Sequence, residues 1–217
     1  MSDFLTDAAL FLPVLLRGLG TTVLLTLSAL AFSLVVGVML ALASLSLLWP
    51  VRALVATLIN VVRGIPIIVQ LFFVYFVLPE LGISLFPFAA GVIGLGIAYS
   101  VYQAENFRGG FESVDKQLVE VGQALGMSRW LIFRRIVFPL GLRTALPSFG
   151  NTTVMLLKDS SIASTIAIAE LTRAGQLLAI STFKNGTVYA LVALLYLIAS
   201  VPLAMGVRAL ERWVAVK

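Results

Sequence analysis

Charged residues fall in bunches along this chain, and between the bunches the sequence is nearly all apolar. An ion at the centre of a membrane-spanning helix costs about 2.5–3.5 kcal/mol on insertion scales, so charge-free stretches mark the segments that lipid can bury. Five stand out. Between Arg17 and Arg52 lie 34 uncharged residues; a span needs about 20, so this run predicts one crossing, from about Leu19 to Ala43, and a turn. After Arg63 come 16 uncharged residues ending at Pro79, with Pro66 near their start, and 24 more run from Leu81 to Ala104. The fourth stretch is divided by an adjacent base and acid, Thr144 to Leu157 and then Ser160 to Ala169; the last extends from Asn185 to Val207. The pattern predicts an all-α, polytopic membrane protein of about five transmembrane helices, a single transmembrane domain over residues 1–217. Within the first span Ala29, Ser33, Gly37 and Ala41 recur every four residues, a strip of small side chains that lets another helix approach closely. Gly91, Gly94 and Gly96 read as further close-contact points, and Pro202 as a kink in the last span.

Composition agrees with the pattern. Hydrophobic residues make up 60% of the 217 and charged ones 12%, against about 45–50% and 25% in soluble domains. An ordinary soluble enzyme is excluded, because one domain of this length cannot hide so much apolar surface from water. Cysteine and histidine are absent, which removes disulfides, thiolate zinc sites, cysteine nucleophiles and the commonest general base and metal ligand. The opening residues carry two Asp and no basic cluster before Arg17, unlike a signal peptide, so the first span is expected to stay. Topology accounts for the net charge of +5. With five crossings, 11 basic residues share one side: Arg52, Arg63, Arg108, Lys116, Arg129, Arg134, Arg135, Arg143, Arg208, Arg212 and Lys217. Arg17, Lys158, Arg173 and Lys184 make 4 on the other. The positive-inside rule then predicts an external amino terminus and a cytoplasmic carboxyl terminus.

The longest polar segment runs from Glu105 to Arg143, 39 residues with six basic and four acidic groups. Burying them would cost roughly 25–35 kcal/mol, so the segment belongs in water. It is patterned nonetheless. Leu118, Val121 and Leu125, joined by Gly122, share one face at helical spacing, with Asp115 as a cap and Gly126 as a stop. A second helix is predicted from Ser128, with Trp130, Phe133 and Val137 on one stripe, until Pro139 breaks it. The second helix suits packing against the span ends; the first suits lying along the membrane surface and entering a groove in another protein.

The string EVGQALGMSRWLIFRRIVFP, residues 120–139, resembles the cytoplasmic "EAA" loop of permease subunits in ATP-binding-cassette (ABC) importers, with Glu120, Gly126, Ile136 and Pro139 at the family's spacing. RGIPIIVQLFFVYFVLP before it, AENFRGG leading into it, and LRTALPSFGN, LLKDSSIAS and AELTRAGQ after it are similar to the polar amino acid branch, the histidine/glutamine/arginine permease-like group. Val121 and Gly122 stand where that family has two alanines, and Phe138 where it has leucine; small or apolar character is kept. The resemblance implies the type I importer (MetI-like) permease fold in a bacterial inner membrane. It implies that Leu118, Glu120, Val121, Gly122, Ala124, Leu125 and Gly126 form a coupling helix docked on a cytoplasmic ABC ATPase dimer, with Ile136 to Pro139 clamping the loop to the bilayer. A second permease subunit, in a homodimer or heterodimer, and an extracytoplasmic amino-acid-binding protein complete the implied assembly. No G-x-x-x-x-G-K-[ST] phosphate cradle occurs in the chain, so ATP and Mg²⁺ belong to the partner ATPase and no cofactor is expected on this subunit.

Lys158 and Asp159 interrupt the fourth apolar stretch, and ionisable residues at membrane depth mark functional sites by default. At about 1.5 Å per residue, the helix after Pro147 carries them roughly 15–18 Å inward, about halfway through a 30 Å core. Thr152, Met155 and Asp159 lie on one stripe, and Asn151, Met155 and Lys158 on an adjoining one. An amino acid entering lipid needs complements for both its charges. Asp159 suits the α-ammonium, and Lys158 or the hydroxyls of Ser160 and Ser161 suit the carboxylate; a Lys158–Asp159 pair that neutralises itself is the plainer alternative. The resemblance places the family's substrate site around this segment, giving Asn151, Thr152, Met155, Lys158, Asp159, Ser160 and Ser161 as candidates. Relatives handling cationic substrates carry an acid where this chain has Thr152, so the cargo is not strongly cationic or this is the non-binding half of a heterodimer. AELTRAGQ, with Glu170 and Arg173, is expected as a short external helix near where the binding protein docks; Gln70 and Tyr99 are possible path residues left outside the site.

The leading expectation is thus a permease subunit driven by a separate ATPase. The rival is an autonomous secondary transporter or channel in which Lys158 and Asp159 couple ions. A membrane enzyme using Asp159 or Glu105 as its acid ranks last, since no paired carboxylate or metal cluster accompanies either.

Overall fold

A computed structural model describes residues 2–215; Met1, Val216 and Lys217, the last of the basic residues counted above, lie outside the described residues. All regular structure among the described residues is helical. In chain order come α1 (Ser2–Ser44), α2 (Trp49–Gly64), α3 (Ile67–Phe72), α4 (Pro87–Glu112), α5 (Lys116–Ala124), α6 (Arg129–Ile132), α7 (Phe138–Asp159), α8 (Leu171–Thr182) and α9 (Asn185–Ala215). Among the described residues two stretches are long and apolar enough to cross a bilayer unaided, Phe4–Ser44 and Asn185–Ala209. The pair Trp49–Gly64 and Ile67–Leu81, bent by 99° at its junction, makes a third if taken as one broken span.

The first helix outruns its charge-free segment. Instead of beginning near Leu19 it starts at Ser2 and continues through Pro13 and Arg17 for 43 residues, roughly 65 Å or twice the hydrocarbon thickness of a bilayer. A charge limits where a helix can be buried, not where it can wind, so absence of charge locates a buried segment better than a helix end.

Helix α4 is the centre of the bundle. The small-residue strip of α1 lies on it: Ala29, Ser33 and Ala41 are buried, and a Cβ added at Gly37 would sit 2.6 Å from the Gln103 Cβ and 2.9 Å from the Ser100 carbonyl oxygen. Gly91 faces Leu25 and Ile168, Gly94 faces Leu71, and Gly96 faces the Phe32 ring, so all three predicted contact glycines are points of close approach. Residues rise together along α1 and α4 (25 with 91, 37 with 103), so these helices are parallel. Leu71 with Gly94 and Arg63 with Tyr102 show that the chain passing through the α2–α3 corner runs counter to α4. Gly110 against Gly141 and Ala145, with Asn106 bonded to Thr152, shows the same of α7, and Asp7 paired with Lys184 while Thr22 and Tyr196 meet at Glu170 sets α9 parallel to α1. The long elements therefore alternate in direction along the chain.

Three prolines shape the bends, each through the N–H it lacks. Pro66 leaves the Val62 carbonyl without its usual donor, and the Gln70 side chain supplies one: its Nε2 donates to Val62 O and to Ile65 O, both at 2.8 Å. Gln70 thus holds the α2–α3 corner. Before Pro79 and Pro139 the chain uses wide π turns, Phe73–Val77 and Phe133–Val137, closed by Leu78 N–H donating to Phe73 O and Phe138 N–H donating to Phe133 O. The second corrects the expectation that Pro139 ends the loop helix. One extra residue per turn removes the clash between the proline ring and the preceding turn, so α6 runs through the wide turn into α7.

At the start of α8, Glu170 is completely buried. Its carboxylate caps α8, accepting from Thr172 N (2.9 Å) and Arg173 N (2.7 Å), and also accepts from the Tyr196 hydroxyl of α9 (2.9 Å). Thr22 of α1 reaches the same group and accepts from Leu171 N (3.0 Å). AELTRAGQ is the expected short helix, but Glu170 fastens three helices together and offers nothing to a docking protein, and no Glu170–Arg173 ion pair forms among the described residues.

Gly37→Val is expected to destabilise the purified protein by about 1–3 kcal/mol through overpacking against α4. Gly20→Val, at a site with nothing within 4 Å, should leave the thermal unfolding midpoint at or slightly above that of the native sequence.

Candidate functional site: the α4–α7 seam and the loop helix

The seven substrate-site candidates divide by which way α7 turns them. Asn151, Met155 and Lys158 form one exposed stripe, with Met155 54% exposed. Thr152 and Ser160 face inward and are buried. Thr152 Oγ1 donates to Ser148 O (2.8 Å) and accepts from Asn106 Nδ2 (2.9 Å), while Ser160 Oγ donates to Leu157 O (2.7 Å). Both hydroxyls are already engaged, so neither stands ready for a ligand. Ser161 is half-buried in the 3₁₀ turn Ser160–Ile166.

Asp159, the last residue of α7, is half-buried and does not pair with Lys158. Its Oδ2 accepts a hydrogen bond from the Tyr99 hydroxyl of α4 at 2.6 Å. Successive residues on a helix point about 100° apart, which sends the ammonium and the carboxylate to different sides. The self-neutralising pair is therefore not formed, and an acid and a base stand side by side with separate outlooks.

Sequence reasoning set Tyr99 aside and did not single out Asn106. The signal was present: Tyr99, Gln103 and Asn106 recur at i, i+4 and i+7 on α4, the interval that separates Thr152 from Asp159 on α7. Because the helices are antiparallel, Tyr99 meets Asp159 and Asn106 meets Thr152, two rungs two turns apart. Asn106 also donates to Gln103 Oε1 at 3.3 Å, while the buried Gln103 Nε2 has no hydrogen-bond partner. Beyond the charge-free run, Arg108 bridges Glu105 (2.6 Å) and Glu112 (2.7 Å), and its guanidinium holds the Glu105 carboxyl below the usual carboxylate range.

The loop forms the expected pair of helical segments. Asp115 caps α5 by accepting from Gln117 N (2.9 Å), and Ser128 caps α6 by accepting from Leu131 N (3.3 Å). Gly126, at φ +74°, stops α5: its N–H donates to Gln123 O and that of Met127 to Gly122 O, as in a Schellman cap. Gly122 is packed against Ile132 and Ile136, which anchors α5 to the α6–α7 rod. Leu118, Glu120, Val121, Ala124 and Leu125 remain exposed, Leu125 to 76%. The apolar row on this mounted helix is thus left uncovered by the rest of the chain.

A bundle of long apolar helices with a polar seam and a mounted loop helix is the frame on which the class of protein is set by its relatives. Residues 33–216 match the family described as binding-protein-dependent transport system inner membrane component, and the chain belongs to that family. It is 37% identical over 203 residues, 93% of each chain, to the glutamine transport system permease protein GlnP of Escherichia coli (strain K12). To the nopaline transport system permease protein NocM of Agrobacterium fabrum it is 34% identical, covering 93% of this chain and 88% of that one. Among solved structures, an amino acid ABC transporter crystallised with histidines has a TM-score of 0.90 at 31% identity, covering 97% of this chain and 98% of that one. The MetNI methionine ABC transporter, at 20% identity and a TM-score of 0.80 over 94% and 97%, shares the fold. The protein is an EAA-type, non-catalytic transmembrane subunit of an ABC amino-acid importer, a multi-pass protein of the bacterial membrane.

Thr152→Val keeps the shape of the seam and deletes the acceptor for Asn106. It is expected to lower stability by about 1–2 kcal/mol, read as a reduced unfolding midpoint.

Proposed function

We propose that this subunit supplies one half of a paired permease importing amino acids with uncharged polar side chains, and that each half contributes Lys158, Asp159, Asn151 and Met155 to the path. Lys158 and Asp159 carry this reading. They interrupt an otherwise uncharged stretch, they do not neutralise each other, and the α-carboxylate and α-ammonium of an amino acid supply the charges each lacks. The exposed Asn151–Met155–Lys158 stripe cannot face lipid without a cost of a few kcal/mol for its ammonium, so it faces a water-filled path or the second subunit. Asn151 and Met155 offer a carboxamide and a thioether to the cargo's side chain and no second acid to a cationic one; the relative named for glutamine fits that chemistry. Ser161 stands beside the acid as a further donor, whereas Thr152 and Ser160 act through the seam.

Five crossings, by α1, the broken α2–α3 pair, α4, α7 with its 3₁₀ extension, and α9, are supported by the alternating helix directions. The 11-to-4 distribution of basic residues supports an external amino terminus and a cytoplasmic loop at about 105–143. In that orientation the exposed row on α5, from Leu118 to Gly126, meets the ATPase. Gly122 passes movement to Ile132 and Ile136, and the continuous α6–α7 rod carries it to Asp159.

The test is uptake of labelled amino acids into liposomes carrying the subunit with its ATPase and binding protein. Uptake is expected only with ATP, and Asp159→Ala should abolish it while ATPase association persists. ATP-independent uptake by the subunit alone would favour the secondary transporter. For orientation, Ser128→Cys should resist impermeant thiol labels applied outside sealed cells and react once the membrane is opened; labelling from outside would invert the topology.

A further inference from the structure

We infer that Tyr99 is a positioning residue for substrate recognition: its phenol fixes the Asp159 carboxylate so that the other oxygen, Oδ1, is presented to the ammonium of the cargo. This rests on the reading above that Asp159 receives that ammonium. Tyr99 is 1% exposed and packed into the core cluster that includes Leu95, Ala98 and Leu156. Its ring is further held by Tyr102, 5.8 Å away, which carries the Arg63 guanidinium at 5.6 Å. The hydroxyl is therefore a fixed point on α4. From it runs the 2.6 Å hydrogen bond to Asp159 Oδ2, short and charge-assisted.

Asp159 needs such a holder. It ends α7, where the helix dipole is negative and gives a carboxylate no support, and among the described residues no basic group lies within ion-pair distance. Among the described residues Tyr99 is the one side chain that donates to it. Two turns away the Asn106–Thr152 rung fixes the rotation of α7 about its own axis, so the second carboxylate oxygen has a set direction. A phenol suits the post because it gives one hydrogen bond and no charge. A basic residue there would neutralise Asp159 and compete with the cargo, and an apolar one would leave both oxygens free to turn.

The role is tested by equilibrium binding of labelled L-glutamine to the permease–ATPase complex in lipid nanodiscs, with competition by glutaramate, the same molecule without its α-amine. Tyr99→Phe is expected to weaken L-glutamine about tenfold, the scale of one hydrogen bond to a charged group, and to leave glutaramate unchanged. Discrimination between the two should narrow by the same factor. Asp159→Asn is expected to abolish that discrimination. Unchanged L-glutamine affinity in Tyr99→Phe, or equal weakening of both ligands, overturns the inference while the site stands if Asp159→Asn is defective. Native-like discrimination by Asp159→Asn, or no L-glutamine binding by the unaltered complex, overturns the underlying reading instead. Fluorotyrosine at position 99, which keeps the ring and hydroxyl, gives a second measurement: its fluorine resonance should move on addition of L-glutamine and stay put with glutaramate. No movement with either counts against the role.

Discussion

Lipid offers no partner to a polar group, so most of the donors and acceptors this chain buries are answered by another part of the chain, with Gln103 Nε2 and Gln70 Oε1 left over among the described residues. The structure is arranged around those answers. Gln70 replaces the N–H missing at Pro66, Glu170 gathers α1, α8 and α9 onto one carboxylate, and the Tyr99 and Asn106 rungs fasten α7 to α4. Between these polar knots the helices are held by closeness, which glycine and alanine permit. The knots set where each helix stops, bends or faces; the small residues set how near it comes.

The same constraint sorts the two faces of α7. Polar side chains on the inner face of α7 are committed to neighbours, whereas Asn151, Met155 and Lys158 on the outer face are not. A helix sorted in this way has a fastened side and an uncommitted side. Asp159 belongs to both, with one oxygen tied to Tyr99. The loop repeats the division: Gly122 is packed inward and Leu118, Val121 and Leu125 are left uncovered.

Much of this was legible in the residues. The strip from Ala29 to Ala41, the contact glycines of α4, the caps Asp115 and Ser128 and the stop at Gly126 follow from local rules of size, spacing and φ, which act over a few residues. What escaped depended on which helix would lie beside which. Thr152 shares a stripe with Asp159, yet only the approach of α4 shows that it is taken by Asn106. Glu170 reads as a surface acid because nothing nearby in sequence announces Thr22 or Tyr196. The length of α1 was underread because charge reports on burial. Pro139 was read as a break because an ordinary helix has no room for it, whereas a wide turn does.

That wide turn between α6 and α7 also sets a compass bearing. Each residue advances a helix by about 100°, so the surplus residue wound into Phe133–Val137 decides the azimuth at which α5 hangs from the rod. With ordinary winding the apolar row would swing about a quarter turn around the α7 axis and point away from its present direction. The proline that demands the wide turn thereby aims the loop, and one half-buried ring at the foot of α7 settles where an exposed surface looks.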